Sequence, residues 1–307
     1  AEELLKIGTG EYVSQQETTH KFDAGKTYVL QNNLSFSGDY SNIARLIKEN
    51  KIDFVGNNYE IKVTNSVGIE EYYTEDNKYY MATNKYGYIL DGLELYYDGI
   101  DNTGSGYSST TSIWKDLSGN NRDGELKGKT TIGTGEWTGE GLVFDGSDDW
   151  VSIGEMNFDN VSVEAVLTST NVNTTSQQYV VANVQNGGEQ LSIQNGNIGF
   201  SAYINGAYKT GTDVSVSDGV RCSVMGSYDG TEIKNRCNNQ NYSTTYSGTI
   251  GFPANNTIMA LGTNPSGSTS GGGHFAGTIH SVRIYSRALT DEEAQLNYKA
   301  DQARYGV

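Results

Sequence analysis

Short runs in which apolar and polar residues alternate recur along the last two-thirds of the chain. Across residues 161–167 the odd positions are Val, Val, Ala and Leu, and Glu164 lies on the opposite face. A period of two is typical of a β-strand with one buried face, so we expect Glu164 to point outward. Similar runs predict strands at residues 93–98, 142–144, 150–153, 162–167, 179–183, 190–194, 199–204, 221–228, 232–237, 257–261 and 278–285.

Turn signals separate these runs, for example Asn186-Gly-Gly and Asn205-Gly. Many short strands at this spacing predict a mainly β protein built as an antiparallel β-sandwich, not a parallel α/β fold.

The chain ends in a predicted strand that is followed at once by a helix. β-Branched residues every two or three positions predict the strand over residues 276–286. Thr290 and Glu293 have the spacing of a capping box, and the acidic residues beside them suit the positive end of a helix. We expect this helix to run to about Arg304 and to fold back over the strand, closing the domain.

Residues 1–88 have a different pattern and predict a small α+β domain. Residues 26–31 and 34–36 are expected to form one strand or a broken pair of strands. A helix is expected at residues 40–49, and a hairpin that pairs residues 52–55 with residues 59–63. The Tyr-rich polar segment from residue 70 to residue 88 is compatible with an extended arm over the large domain, a docking surface for a partner, or a linker. The large domain then covers residues 89–307.

Composition favours a turn-rich β protein. The 307 residues include 38 Gly, 22 Tyr and only two Pro, and 19% are charged. The formal net charge of -16 opposes binding to nucleic acids and anionic membranes, which need basic patches. Cations are the small partners that this charge favours.

No apolar run is long enough to span a bilayer, so no direct membrane insertion is expected. The first residues, Ala1-Glu-Glu-Leu-Leu-Lys, lack the basic and apolar regions of a signal peptide. Either an export segment was removed before this numbering begins, or the protein leaves the cell by lysis or as part of a particle.

Cys222 and Cys237 flank a predicted hairpin. Asp229-Gly230 is a two-residue turn signal, and counting outward from it places the two cysteines directly across the hairpin. This register predicts a disulfide, which favours an extracytoplasmic location. The pair is hydrogen-bonded in the simplest register, so a bulge is expected, and two buried thiols are the alternative.

Four segments in order resemble one known family: residues 141–151, 161–166, 224–231 and 275–290. Together they resemble the laminin G-like, concanavalin A-like lectin/glucanase jelly-roll modules of bacterial and phage surface proteins, over about residues 92–307. The resemblance implies that Trp114, Asp116 and Asn120 lock an edge loop against the sheet. Arg221 and Asn235 depart from the family pattern, so we expect their hairpin to lie at a sheet edge.

An acidic loop is the candidate metal site. Asp145 and Asp148 lie on a Gly-containing turn, and carboxylate oxygens are the ligands that hard cations prefer. Many members of the resembled family hold a structural calcium near a sandwich edge, which adds Asp123 to the candidates. The alternative is an Asp-Gly turn with solvated carboxylates.

Catalytic residue sets are not found in the sequence. Glycoside hydrolysis needs two carboxylates at a defined separation, and the nearest suitable strand carries Glu164 alone. His20, His274 and His280 have no Ser or Cys motif near them, and two cysteines without paired histidines do not make a zinc site. We therefore expect no enzyme activity.

Glycan binding by a sandwich uses aromatic side chains with polar groups around them. The candidates here are Trp150, Tyr203, Tyr208 and the neighbouring Asn205; the alternative is that each aromatic residue belongs to the core or is an ordinary exposed Tyr.

Two functional hypotheses follow. The first is a non-enzymatic recognition or adhesion module that binds a glycan or protein ligand, displayed outside the cell on a bacterial surface, a pilus-like appendage or a virion, with residues 1–88 docking it to assembly partners. The second is a structural subunit or decoration protein of a filament, pilus or phage particle. A polysaccharide-cleaving enzyme is a third hypothesis, which the missing carboxylate pair opposes.

Overall fold

The computed structural model describes residues 83–128, 136–253, 258–266 and 269–307, and before Thr83 the backbone of short strands alone. The chain divides into two compact units, Ala1–Asp91 and Gly92–Val307.

The first unit contains two sheets built from strands β1 to β7: Leu5–Ile7, Thr27–Leu30, Leu34–Ser37, Asp53–Val55, Ile61–Thr64, Glu70–Tyr73 and Met81–Thr83. β1, β2 and β4 pair in parallel in one sheet. In the other sheet β3 pairs in parallel with β5, and β5, β6 and β7 are antiparallel neighbours. The predicted hairpin between residues 52–55 and 59–63 is therefore wrong, because β4 and β5 lie in different sheets.

The Tyr-rich segment contributes to the sheet of the first unit. β6 pairs with β5, and β7 pairs with β6, so these parts of the segment are paired strands and not a linker. The helix predicted at residues 40–49 lies outside the described residues.

The second unit contains two large antiparallel sheets. The nine-stranded sheet has the order β17-β16-β15-β14-β22-β12-β10-β9, and β18 pairs with β16. Its strands are β9 (Ile113–Trp114), β10 (Gly124–Lys127), β12 (Trp150–Gly154), β14 (Gln178–Ala182), β15 (Glu189–Gln194), β16 (Asn197–Ile204), β17 (Ala207–Thr210), β18 (Val214–Ser215) and β22 (Met259–Leu261).

The seven-stranded sheet has the order β11-β25-β13-β19-β20-β21, and β8 pairs with β25. Its strands are β8 (Leu93–Asp98), β11 (Leu142–Asp145), β13 (Val161–Ser169), β19 (Arg221–Tyr228), β20 (Glu232–Cys237), β21 (Gln240–Thr245) and β25 (Ala276–Tyr285). A separate two-stranded ribbon pairs β23, Pro265–Ser266, with β24, Thr269–Ser270.

One apolar core lies between the two large sheets. Val163, Ala165 and Leu167 of β13 contribute to it from the seven-stranded sheet, and Leu191 and Phe200 contribute from the nine-stranded sheet. Burial of alternate residues from both sheets is the pattern of a sandwich. The predicted mainly β, antiparallel jelly-roll architecture is confirmed.

The loop after β9 is fixed to β8 by the three predicted side chains. Trp114 is fully buried and its ring nitrogen donates to the Asp98 carbonyl at 3.1 Å. Asp116 accepts from the Tyr96 amide at 3.1 Å, and Asn120 donates to the Leu93 carbonyl at 3.0 Å. These bonds confirm the edge-loop prediction.

Helix α1, Asp291–Tyr305, follows β25 as predicted. The Thr290 side chain accepts from the Glu293 amide at 3.3 Å, and the Glu293 carboxylate accepts from the Thr290 amide at 2.9 Å. Both bonds of the capping box are therefore present. Among the described residues, no helix combines the length and apolar character needed to cross a membrane.

A buried polar cluster lies between helix α1 and the seven-stranded sheet. Arg283 donates to Glu164 at 2.8 Å and to Asp301 at 2.9 Å, and Asn297 also donates to Glu164 at 2.8 Å. Glu164 points away from the sandwich core as its alternation predicts, but it is only 4% exposed. Helix α1 covers Glu164 on that outer face, and the sequence pattern of one strand does not reveal this helix.

The β19–β20 hairpin has a different register from the predicted one. Tyr228 pairs with Ile233 and Val224 pairs with Cys237, so Cys222 is not directly opposite Cys237. Asp229 accepts hydrogen bonds from the Thr231 and Glu232 amides, which makes the loop longer than two residues. Both cysteines are buried free thiols in this structure.

The same hairpin does not lie at a sheet edge, because β21 pairs with the outer side of β20. Asn235 is buried, and its side chain accepts from the Phe200 amide at 3.0 Å and donates to the Thr212 carbonyl at 2.8 Å. These bonds supply the partners that a buried amide needs.

Candidate functional site

A polar cavity of about 410 Å³ lies on the nine-stranded sheet. In β15, Leu191 and Ile193 face the core, and Gln190, Ser192 and Gln194 line the cavity. The cavity therefore lies on the outer face of the sheet, because successive side chains of a strand point to opposite faces. We call this site the polar cavity. The residues that line it are Gln177, Tyr179, Val184, Gln190, Ser192, Gln194, Asn197, Gly199, Ser201, Tyr208, Thr210, Asp213 and Asn264.

Amide and hydroxyl groups on the floor of the cavity form two separate hydrogen-bonded groups. Gln177 donates to the Ser192 hydroxyl at 2.9 Å, and the Tyr179 hydroxyl donates to Gln177 at 3.2 Å. Ser201 and Thr210 share a hydrogen bond of 2.8 Å. These contacts orient the polar side chains before any ligand arrives, and amides and hydroxyls keep further donor and acceptor capacity.

Asn264 contributes an unused acceptor at the cavity wall. Its side-chain oxygen is buried and accepts no hydrogen bond from the residues that the structure describes. A buried acceptor without a donor is costly. A ligand hydroxyl in the cavity is one means of satisfying it.

Tyr208 supplies the exposed aromatic surface of the cavity. Its side chain is 43% exposed, and its hydroxyl donates to the Gly187 carbonyl at 3.0 Å. The Tyr203 ring packs against it edge to face, with ring centroids 4.9 Å apart. Tyr208 is thus held at both its ring and its hydroxyl, while part of the ring remains open to a ligand.

Asp213 is the charged residue of the lining. A Cβ at Gly199 would lie 1.9 Å from the Asp213 carboxylate oxygen, so this carboxylate occupies the space above the Gly199 backbone. Partial burial raises the pKa of Asp213. Lys209 does not line the cavity; its ammonium group lies 5.8 Å from the centroid of the Tyr246 ring.

The four predicted ligand residues occupy different positions relative to the polar cavity. Tyr208 lines the polar cavity, and Tyr203 packs beside it. Trp150 is buried at 7% exposure and does not line the cavity. Asn205 occupies a left-handed turn position with φ of 50°, and its side chain donates to the Ser247 carbonyl at 3.0 Å.

The acidic loop brings Asp145 and Asp148 together with Asp149, and one oxygen of each lies within 4.8 Å of the others. Oxygens that bind one Ca²⁺ at about 2.3–2.6 Å cannot lie much farther apart than this, so the three carboxylates fit a hard cation in type and spacing. Asp123 does not join them, because it pairs with Lys115 at 2.9 Å and accepts from the Asp116 amide. Calcium at this loop stays a prediction.

Most of the cavity-lining residues carried no recognisable signal in the sequence. The amides and hydroxyls at alternate positions of β15 and β16 look like an ordinary solvated strand face. Their alternation with Leu191, Ile193, Ile198 and Phe200 shows that they share a face. It does not show that a cavity forms there, because strands from distant parts of the chain complete it.

Comparison with known proteins supports the fold. The family model described as concanavalin A-like lectin/glucanases superfamily matches residues 145–295. The predicted resemblance is confirmed. The chain matches no curated protein sequence.

Solved structures with the same architecture have low sequence identity to the chain. The receptor binding domain of botulinum neurotoxin D has a TM-score of 0.52 and 16% identity, over 69% of this chain and 53% of that chain. The binding domain of botulinum neurotoxin DC in complex with SialylT has a TM-score of 0.50 and 12% identity, over 69% and 52%. The chain spans about half the length of these structures, and at such identities the likeness shows the fold alone.

A third similar structure is domain 4 of AbnA, a GH43 extracellular arabinanase from Geobacillus stearothermophilus, in complex with arabinotriose. Its TM-score is 0.46 and its identity is 20%, over 68% of this chain and 98% of that chain.

Proposed function

We propose that the second unit is a non-enzymatic glycan-binding module and that the polar cavity is its binding site. The observation that carries the proposal is a concave surface lined by amides and hydroxyls beside an exposed Tyr208. A sugar offers hydroxyl groups to the polar side chains and an apolar ring face to the aromatic one. The cavity volume, about 410 Å³, lies within the range of small-molecule sites, roughly 300–1,000 Å³.

The proposal is binding without hydrolysis because the described lining of the cavity contains one carboxylate, that of Asp213. Glycoside hydrolysis uses a pair of carboxylates on either side of the scissile bond. The similar neurotoxin structures are named as receptor-binding and binding domains, which is compatible with a binding role.

The biological setting of the proposal is display outside the cell, on a bacterial surface, an appendage or a virion, where the module adheres to a glycan. The division into two compact units motivates a docking role for the first unit toward assembly partners. A protein ligand and a purely structural subunit are the alternatives, and both predict no glycan binding at the polar cavity.

A glycan array probed with the full chain, followed by titration calorimetry on the hits, tests the proposal. Removing the ring in Tyr208→Ala should weaken binding by roughly two- to tenfold, since an aromatic contact contributes about 0.5–1.5 kcal/mol beyond the area it buries. Tyr208→Phe keeps the ring and should retain binding.

Tyr242→Ala is the matched control, because Tyr242 is 42% exposed but lies on β21 of the other sheet. Equal losses for the Tyr208→Ala and Tyr242→Ala variants, or silence of the wild-type chain on neutral and acidic glycans, would contradict the proposal.

A further inference from the structure

We infer that the polar cavity selects uncharged glycans and excludes acidic ones, and that Asp213 is the residue that determines this selectivity. This inference rests on the proposed function. It adds the class of glycan and the residue that discriminates between classes.

The first argument is the charge of the lining. Among its described residues, Asp213 alone carries a charged side chain, and the others are amides, hydroxyls, tyrosines, a valine and a glycine. An acidic sugar would bring its carboxylate beside that of Asp213 without a cation in the lining to pair with it. Like charges at a partly desolvated site repel strongly.

The second argument is the position of the Asp213 carboxylate. It lies above Gly199, where any side chain would collide with it. Among the described residues it has no hydrogen-bond or ion-pair partner, so its oxygens are available to a ligand. A carboxylate in this position accepts charge-assisted hydrogen bonds from the hydroxyls of a neutral sugar.

The third argument is that the lysine of the neighbouring strand β17 lies away from the cavity. Lys209 follows Tyr208 in β17, but its ammonium group lies against the Tyr246 ring and does not line the cavity. The net charge of -16 adds a longer-range repulsion of the same sign. Local and global charge therefore act in the same direction against an acidic ligand.

Matched glycan pairs that differ only or mainly in charge test the inference. Suitable probes are methyl-esterified and de-esterified galacturonate oligomers, and the methyl ester of 3′-sialyllactose with 3′-sialyllactose itself. For a pair whose neutral member binds, the acidic member should bind at least about tenfold more weakly to the wild-type chain. In Asp213→Asn this ratio should fall to within about threefold, because the repulsion is removed while a side-chain oxygen remains.

Asp159→Asn is the control for net charge, since Asp159 is exposed and does not line the cavity. It should leave the ratio unchanged. A second readout needs no variant: raising the salt concentration should strengthen binding of the acidic member to the wild-type chain, because salt screens the repulsion.

The outcomes separate this inference from the proposed function. Two outcomes overturn the inference alone. In one, binding depends on the Tyr208 ring but favours the acidic member of a pair; in the other, Asp213→Asn leaves the ratio of neutral to acidic affinity unchanged. Absence of glycan binding, or binding that ignores the Tyr208 ring, overturns the proposed function as well.

Discussion

The carboxylate of Asp213 covers the backbone of Gly199. A Cβ at residue 199 would stand 1.9 Å from the Asp213 oxygen, which is far inside a permitted contact. The absence of a side chain at residue 199 is therefore what allows the carboxylate to reach into the polar cavity. The sequence does not indicate this close approach, because strand β17 separates the two residues along the chain.

Gly199→Ala should displace the Asp213 carboxylate with little effect on stability. Only the end of a flexible, exposed side chain has to move, so we expect the free energy of unfolding to change by no more than about 1 kcal/mol. Discrimination between neutral and acidic glycans should weaken as it does in Asp213→Asn. Calorimetry on both variants checks this, and an unchanged ratio in Gly199→Ala would show that the carboxylate acts from elsewhere.

The three buried charged groups of Arg283, Glu164 and Asp301 should stabilise the fold only when all three are present. Removing the cation in Arg283→Met leaves two buried carboxylates without their partner, which costs about 3–5 kcal/mol. Neutralising all three groups in Arg283→Met/Glu164→Gln/Asp301→Asn should recover more than half of that loss. Urea unfolding of the three proteins measures both values.

An exposed ion pair is the control for this prediction. Lys127 and Glu125 are paired with side chains 37% and 57% exposed, so Lys127→Met should cost only about 0–1 kcal/mol. A loss for Arg283→Met as small as that for Lys127→Met would show that the cluster under helix α1 contributes little.

Glu189 should make stability depend on pH. Its side chain is buried, and neither oxygen accepts a hydrogen bond from the described residues. Burial raises its pKa from 4.5 to about 8. The folded protein therefore binds a proton that the unfolded chain has released between these values.

For this group the stabilising contribution is complete below the unfolded pKa of 4.5 and is lost as pH rises through about 8. The loss is about 1.4 kcal/mol for each pH unit within that window. The Glu189→Gln variant cannot ionise at this position, so it should not lose this stability. The difference between its free energy of unfolding and that of the wild type should therefore increase steadily as pH rises through the window. Denaturant unfolding at several pH values measures the difference.

Glu155→Gln removes an exposed carboxylate and serves as the control, which should track the wild type at each pH. A difference between wild type and Glu189→Gln that stays constant with pH would mean that Glu189 titrates normally.

Calcium at the acidic loop is tested by thermal unfolding. If Asp145, Asp148 and Asp149 hold the ion, calcium in hundredfold excess over its dissociation constant should stabilise the fold by about 2.7 kcal/mol, and a chelator should reverse this. Asp148→Asn should abolish the response. Asp123→Asn should retain it, because Asp123 pairs with Lys115 and does not belong to the cluster; loss of the response in both variants would contradict this assignment.

Local signals predicted much of the second unit. The alternation in β13, the capping box at Thr290 and the edge-loop lock by Trp114 each depend on residues close in sequence or on one strongly patterned segment. The sequence could not indicate β21, because Gln240–Thr245 is polar and almost wholly exposed and is a strand only through its pairing with β20.

The candidate site was less predictable than the fold. Of the predicted aromatic residues, Tyr208 lines the cavity, whereas Trp150 is buried by packing between strands that are distant in sequence. The cysteine register failed for a local reason: the Asp229 side chain binds the amides of Thr231 and Glu232 and shifts the pairing by two residues.

Amide chemical-shift mapping of the full chain, titrated with a neutral glycan that the array identifies, tests the central claim most directly. The account predicts that the shifted signals cluster in β15, β16, β17 and Asp213, the segments that line the polar cavity. Shifts confined to β20 and β21 of the other sheet, or to the acidic loop at residues 145–149, would contradict it.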